Sequence, residues 1–187
     1  MFKLNLKDAF HFTLVWLAAS WGLFANAAAR PNIIFILSDD HAVRAVSAYG
    51  DSLVATPNID RIAAGGIRFD RAYVGNAICG PSRATLLTGL HSHANGFYSN
   101  EWSGPFNGEQ QTLPGLLHGS GYQTAVIGKW HLYSDPVAFD HWEVIDNVME
   151  QGTYYNPSFR SPAGIEETTG YVADLITDKS IAWLEQA

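Results

Sequence analysis

From Asn32 to Leu37 the chain is apolar at nearly every position, and the run ends sharply at Ser38-Asp39-Asp40. A strand covered on both faces has this pattern, which is typical of parallel sheets. Thr56-Pro57 opens a helical pattern through Ile59, Ile62 and Ala63 to a stop at Gly65-Gly66, with Pro57 suited to the first position. Ile67 to Val74 alternates, with one slip, and predicts a second strand. Pro81 to Thr88 predicts a helix ended by Gly89, and Thr112 to Leu117 a short one closed by Gly119 and Gly121. Tyr122 to Ile127 predicts a third strand. Gly170 to Glu185 predicts a helix with Val172, Leu175, Ile176 and Trp183 roughly on one side. Phe139 to Ser161 reads as a loop-rich stretch with many aromatic and polar groups. Strands alternating with helices predict an α/β sheet flanked by helices, with ligands beyond the carboxyl ends of the strands.

The segment before Arg30 follows another pattern. Lys3 and Lys7 precede an apolar stretch from Phe10 to Phe24, and Ala25-Asn26-Ala27-Ala28-Ala29 follows. A positive start, apolar middle and small-residue end predict a cleaved secretory signal over residues 1–29. The apolar stretch falls short of the roughly 20 residues a membrane span needs. The expectation is export to the periplasm or the extracellular space, with residues 30–187 as the working part. No later stretch is suited to cross a bilayer, so no membrane partner is expected after the signal is removed.

Composition narrows the classes. Apolar residues make up 47% and charged residues 16%, which excludes disorder, a coiled coil and a collagen-like repeat. The net charge is −7 and the 11 Lys and Arg form no run, which argues against nucleic acid as a partner. The single cysteine allows no intrachain disulfide, and a lone cysteine in an exported chain calls for another account.

Each predicted strand ends in chemically capable residues. The first leads to Asp39 and Asp40, the second to Cys79 through Arg83, the third to Lys129 and His131. Two adjacent carboxylates at a strand end suit Ca²⁺ or Mg²⁺, although a solvated turn uses the same residues. Cys79 lies just before a predicted helix start, with Gly80 as cap, where backbone N–H groups and the helix dipole favour an anion. Arg83 is placed to turn back as a bidentate clamp. A small buried hydrophobe is the other ordinary use of such a cysteine. Lys129 and His131 are two apart, so an extended segment would aim both one way and Trp130 into packing. A surface lysine beside a structural histidine is the plain alternative.

These residues carry a family resemblance. Cys79-Gly80-Pro81-Ser82-Arg83, followed by Leu87-Thr88-Gly89, resembles the C-x-P-S-R…L-T-G signature of type I sulfatases. Asn32 to Asp40 resembles the family's opening strand and Asp-Asp pair. Thr56-Pro57-Asn58-Ile59-Asp60 resembles its T-P-N-x-D segment, and Gly121-Tyr122-Gln123-Thr124 through Gly128-Lys129-Trp130-His131 its G-Y-x-T…G-K-W-H segment. The similarity runs from about Pro31 to the chain end. It implies an alkaline-phosphatase-like α/β fold with a mixed or mostly parallel sheet.

The resemblance implies that a sulfatase-maturing enzyme oxidises Cys79 to Cα-formylglycine (3-oxoalanine). One hydroxyl of the hydrated aldehyde would attack the sulfur of a sulfate ester, and the second would then expel sulfate. It further implies Ca²⁺, or Mg²⁺, held by Asp39, Asp40 and residue 79. Arg83 would steady the hydrate, Lys129 would offset charge on the sulfuryl group, and His131 would help take a proton. His91-Ser92-His93 and the aromatic segments around Trp142 and Tyr154-Tyr155 resemble exported sulfatases acting on the 6-O-sulfate of N-acetylglucosamine. His91 and His93 are therefore candidate sugar contacts, or else loop-stabilising histidines, and the expected partner is a sulfated oligosaccharide or glycosaminoglycan. A phosphate or phosphonate ester hydrolase of the same superfamily is a second reading, and an inactive glycan-binding fragment a third. The family pattern has further calcium ligands and another Lys and His that find no counterpart before Ala187. Residues 30–187 thus read as the N-terminal part of a catalytic domain, incomplete at its C-terminus and expected to be inactive and poorly soluble alone.

Overall fold

The computed structural model describes residues 30–50, 53–101, 104–146 and 152–187. The expected signal at 1–29 lies outside them. The chain divides into two units, Met1–Asp40 and His41–Ala187.

In the described part of the first unit, Asn32 to Leu37 joins no sheet. Its side chains are exposed, Ile36 at 80%. The expected first strand is therefore not formed. A strand exists only where a neighbour completes its hydrogen-bond ladder, and among the described residues this run has no such ladder. The unit closes in a turn at Asp39-Asp40, where Asp40 takes the left-handed conformation at φ 51°.

The second unit opens with 3₁₀ turns at Val43–Ala45 and Ser47–Tyr49, then α1 (Pro57–Gly65). The Thr56-Pro57-Asn58-Ile59-Asp60 segment acts as a lock at the start of this helix. Asp60 accepts from Ser47 Oγ at 2.6 Å and Thr56 Oγ1 at 3.1 Å, while the Ser47 and Thr56 amides donate to each other's side-chain oxygens at 2.9 and 2.7 Å. Ile67 to Val74, expected as a strand, forms no ladder, and its Ile67, Phe69, Tyr73 and Val74 are exposed. Alternation marks which face would be buried, but a partner strand decides whether a strand forms.

Next come α2 (Cys79–Thr88), α3 (Ser92–Asn95) and α4 (Leu113–Gly119). Gly89 ends α2 in the left-handed conformation at φ 69°, with its amide bonded to Thr85 O. Thr112 caps α4 by accepting from Gly115 N. The sheet follows: β1 (Ala125–Gly128), β2 (His141–Ile145), β3 (Ser158–Ser161) and β4 (Gly164–Glu167), in that spatial order. β1 and β2 are parallel, with Ala125 opposite His141. β2–β3 and β3–β4 are antiparallel, with Val144 opposite Arg160 and Phe159 opposite Glu166. The sheet is mixed, and it includes three strands not foreseen as such, two of them inside the stretch read as loop. Each is only four or five residues long and gains definition from its neighbours.

The mouth of the β1–β2 pair is pinned by Asp140. Its carboxylate accepts from Thr124 N at 2.8 Å, Thr124 Oγ1 at 3.0 Å and the His118 ring at 3.2 Å. The backbone hydrogen bond from Thr124, joined by those of His118 and the Thr124 hydroxyl, holds the Asp140 carboxyl below the usual aspartate range. Helix α5 (Val172–Leu184) packs Ile176 against Gly128 and stacks Trp183 on His141 at 6.4 Å. Its Lys179 spans the sheet, at 2.6 Å from both Glu143 on β2 and Glu166 on β4, with the Phe159 ring of β3 at 5.0 Å. The core gathers Ala84, Phe97, Phe106, Trp130, Leu132, Tyr133 and Val144. Among the described residues no helix is long and apolar enough to cross a membrane.

Candidate active site

Cys79 is itself the first residue of α2, because Ile78 before it is still extended at φ −122°, ψ 146°. The helix thus starts two residues earlier than Pro81, and Gly80 lies inside it rather than capping it. Cys79 is half-buried. Three of the next residues explain the local turn. Gly80 and Pro81 are buried, and the Ser82 amide closes the first turn on Ile78 O at 2.8 Å. The expectation of several open amides for an anion is only partly met. Pro81 has no N–H, and the Gly80 amide donates to Asn100 Oδ1 at 2.9 Å.

Only glycine fits at position 80. A Cβ there would stand 2.6 Å from Phe97 Cε1, 3.0 Å from Asn100 Oδ1 and 3.1 Å from His131 O. The same close approach brings the segment after β1 against the start of α2. Arg83 reinforces it by donating from Nη1 to Lys129 O at 2.6 Å. So Arg83 grips the backbone of the Lys129–His131 segment, four residues along the helix from Cys79.

That segment is not extended. Gly128, His131 and Tyr133 have φ values of 109°, 59° and 55°, so the chain turns repeatedly and the two-residue spacing no longer sets where Lys129 and His131 point. Non-glycine residues held in this region are strained, and such strain clusters at functional sites. Trp130 does enter the core as expected, edge-on to Phe106 and Phe139 at 6.4 and 6.1 Å. His131 is also buried, at 7% exposure, with its ring edge-on to Tyr133. Lys129 is half-buried.

His91 and His93 are exposed, and their rings stack at 6.0 Å. The His91 ring covers Gly75, whose added Cβ would meet it at 2.4 Å. The segment that follows lines a concavity of about 380 Å³ with Asn95, Phe97, Pro105, Phe106, Asn107 and Gln110. The residue that pattern reasoning missed is Asn100. No periodicity or motif marks it, and only its contacts reveal it.

Asp39 and Asp40 belong to the first unit, at the turn described above. Their oxygens are the donors a hard divalent cation takes, and the turn at Asp40 releases the pair from the opposite-face geometry of an extended strand. Among the described residues no three His, Cys, Asp or Glu side chains gather into a metal-holding group.

In this mixed α/β unit, helix α2 thus begins with Cys79, and its Arg83 holds the backbone of the strained Lys129–His131 segment. The chain belongs to the sulfatase family, whose model matches residues 31–187. It is 55% identical over 156 residues to the N-acetylglucosamine-6-O-sulfatase of Bacteroides thetaiotaomicron, covering 83% of this chain and 28% of that protein. It is 38% identical to the N-acetylgalactosamine-6-sulfatase of Sus scrofa, covering 71% of this chain and 28% of that protein. A solved structure of a protein in complex with its substrate D-glucosamine-2-N,6-O-disulfate superposes with a TM-score of 0.81 at 54% identity, over 84% of this chain and 32% of that one. The chain therefore spans less than a third of the length of these three relatives.

Proposed function

We propose that this chain carries the nucleophile-bearing section of an exported sulfuric-ester hydrolase acting on the 6-O-sulfate of N-acetylglucosamine units in sulfated glycans. The observation that carries the proposal is the position of Cys79. It opens a helix inside the C-x-P-S-R sequence, and Arg83 of the same helix ties it to the Lys129–His131 segment. The names of the relatives support the substrate class, since the 55% identical protein is an N-acetylglucosamine-6-O-sulfatase. The basic, apolar, small-residue pattern of residues 1–29 supports export to the periplasm or outside the cell.

Formylglycine formed from Cys79 by a maturing enzyme would supply, as its hydrate, the nucleophilic oxygen and the second hydroxyl that releases sulfate. Asp39 and Asp40 would hold Ca²⁺, which would supply charge for the sulfate oxygens. The chain's own residues do the rest. Arg83 fixes the spacing between residue 79 and the Lys129 backbone, which holds the reacting groups in place. Lys129 brings a cation to the anionic group, where a half-buried setting weakens screening by water. His131, which is buried, would hydrogen-bond the second hydroxyl and help take its proton. His91 and His93, being exposed, are available to contact the sugar.

The test joins mass spectrometry of the peptide containing residue 79 with assays on N-acetylglucosamine 6-sulfate and on an aryl phosphate. The hydrolase that contains this section, rather than the 187-residue chain alone, is produced with a maturing enzyme. The expected result is the aldehyde at position 79, calcium-dependent release of sulfate, little phosphate release, and no turnover by Cys79→Ala. Equal turnover by Cys79→Ala, or faster phosphate than sulfate release, overturns the proposal.

A further inference from the structure

Helix α2 has no cap from its own sequence, because Ile78 offers no side-chain acceptor. The acceptor comes from Asn100, twenty residues on, whose Oδ1 receives the Gly80 amide at 2.9 Å. The same residue's backbone carbonyl receives the Tyr133 hydroxyl. Tyr133 is buried, with its ring 5.9 Å from Phe97 and edge-on to His131 at 6.0 Å. His131 O in turn lies against Gly80. Asn100 thus bonds on one side to the helix that begins with residue 79 and on the other to the segment carrying Lys129 and His131.

We propose that Asn100 is a positioning residue for the hydrolytic reaction: it sets where residue 79 stands relative to His131 by capping α2 and anchoring Tyr133. This rests on the sulfatase reading of Cys79. The side chain suits the task because it is neutral. An aspartate would accept the same hydrogen bond, but its charge would repel a sulfate ester bound nearby. A residue without an acceptor would leave the Gly80 amide with no partner beside the buried Phe97 ring.

The contrast between those substitutions is the test. Asn100→Ala, Asn100→Asp and Tyr133→Phe are prepared in the matured hydrolase that contains this section. Each is measured for kcat and KM on N-acetylglucosamine 6-sulfate, for hydrogen exchange of the Gly80 amide, and for its urea midpoint. In Asn100→Ala, kcat should fall about tenfold to a hundredfold with KM nearly unchanged, the effect of a misplaced reacting group. Its Gly80 amide should exchange about fivefold faster, the factor for one lost hydrogen bond of ordinary strength. Asn100→Asp should keep the slow exchange and most of kcat while KM rises. Tyr133→Phe should lower kcat less than Asn100→Ala and leave Gly80 exchange slow. Unchanged kcat and exchange in Asn100→Ala overturns the proposal, as does an equal loss of kcat in the Ala and Asp variants. A parent enzyme without sulfatase activity, in which Gly80 exchange still responds to Ala and not to Asp, would instead sink the functional reading and leave the capping contact standing.

Discussion

Replacing Gly80 by alanine sets two effects against each other. Helix propensity alone favours Ala over Gly by about 1 kcal/mol. Against it stands the new methyl, 2.6 Å from Phe97 Cε1 and 3.1 Å from the His131 carbonyl. Phe97 is 1% exposed and packed on Phe106 and Tyr133, so its ring cannot swing clear without moving the core. Overpacking of this kind costs about 1–3 kcal/mol. The methyl also sits 3.0 Å from Asn100 Oδ1, pushing away the acceptor of the Gly80 amide. That hydrogen bond is worth about 1 kcal/mol. The sum is a net loss of about 1–3 kcal/mol, with the clash winning over propensity. Urea unfolding followed by tryptophan fluorescence reads it as a lower midpoint at unchanged slope. The cause is isolated by adding Phe97→Leu. The second change should cost less in the Gly80→Ala protein than in the parent, with a coupling of about 1 kcal/mol. An alanine variant as stable as the parent, or zero coupling, would refute the reasoning.

Two other outcomes follow from the sheet. Asp140, held below the usual aspartate range by Thr124 and His118, contributes stability that is present above the unfolded aspartate value and lost as pH falls through the lower folded value. Asp140→Asn should therefore flatten the acid side of the stability–pH curve, measured by urea midpoints, and an unchanged slope there would count against the assignment. Lys179 loses some basicity to burial, but Glu143 and Glu166 outweigh that and raise it overall, so its contribution is full below the unfolded lysine value and lost only as pH rises through the higher folded one. Lys179→Met should lower stability by about 2 kcal/mol at neutral pH, mostly through the half-buried Glu143, whereas Glu166→Gln should change little because that carboxylate is exposed. Equal losses in the two variants would contradict this division.

Helices carry their own instructions, and they were readable. Pro57, Gly89, Thr112 and the 170–185 pattern placed four helices to within a few residues, because a helix closes its hydrogen bonds inside its own segment. Strands do not. Asn32–Leu37 and Ile67–Val74 have the right residues and no ladder, while Ser158–Ser161 and Gly164–Glu167 have weak patterns and pair across a two-residue turn. The site divides in the same way. Cys79, Arg83, Lys129 and His131 stand out in sequence because their chemistry and order are local. Asn100 did not, since nothing at positions 99–101 says that its amide oxygen meets a backbone N–H twenty residues earlier.

Residue identity and short-range order were thus enough to define the family, the helix ends and the chemical groups present. The turn that buries His131, the grip of Arg83 on the Lys129 carbonyl and the ring that leaves room only for glycine at position 80 were settled by tertiary contacts. The reason is physical: a side chain's chemistry travels with the residue, whereas its distance and direction to a partner depend on how segments far apart in the chain pack together.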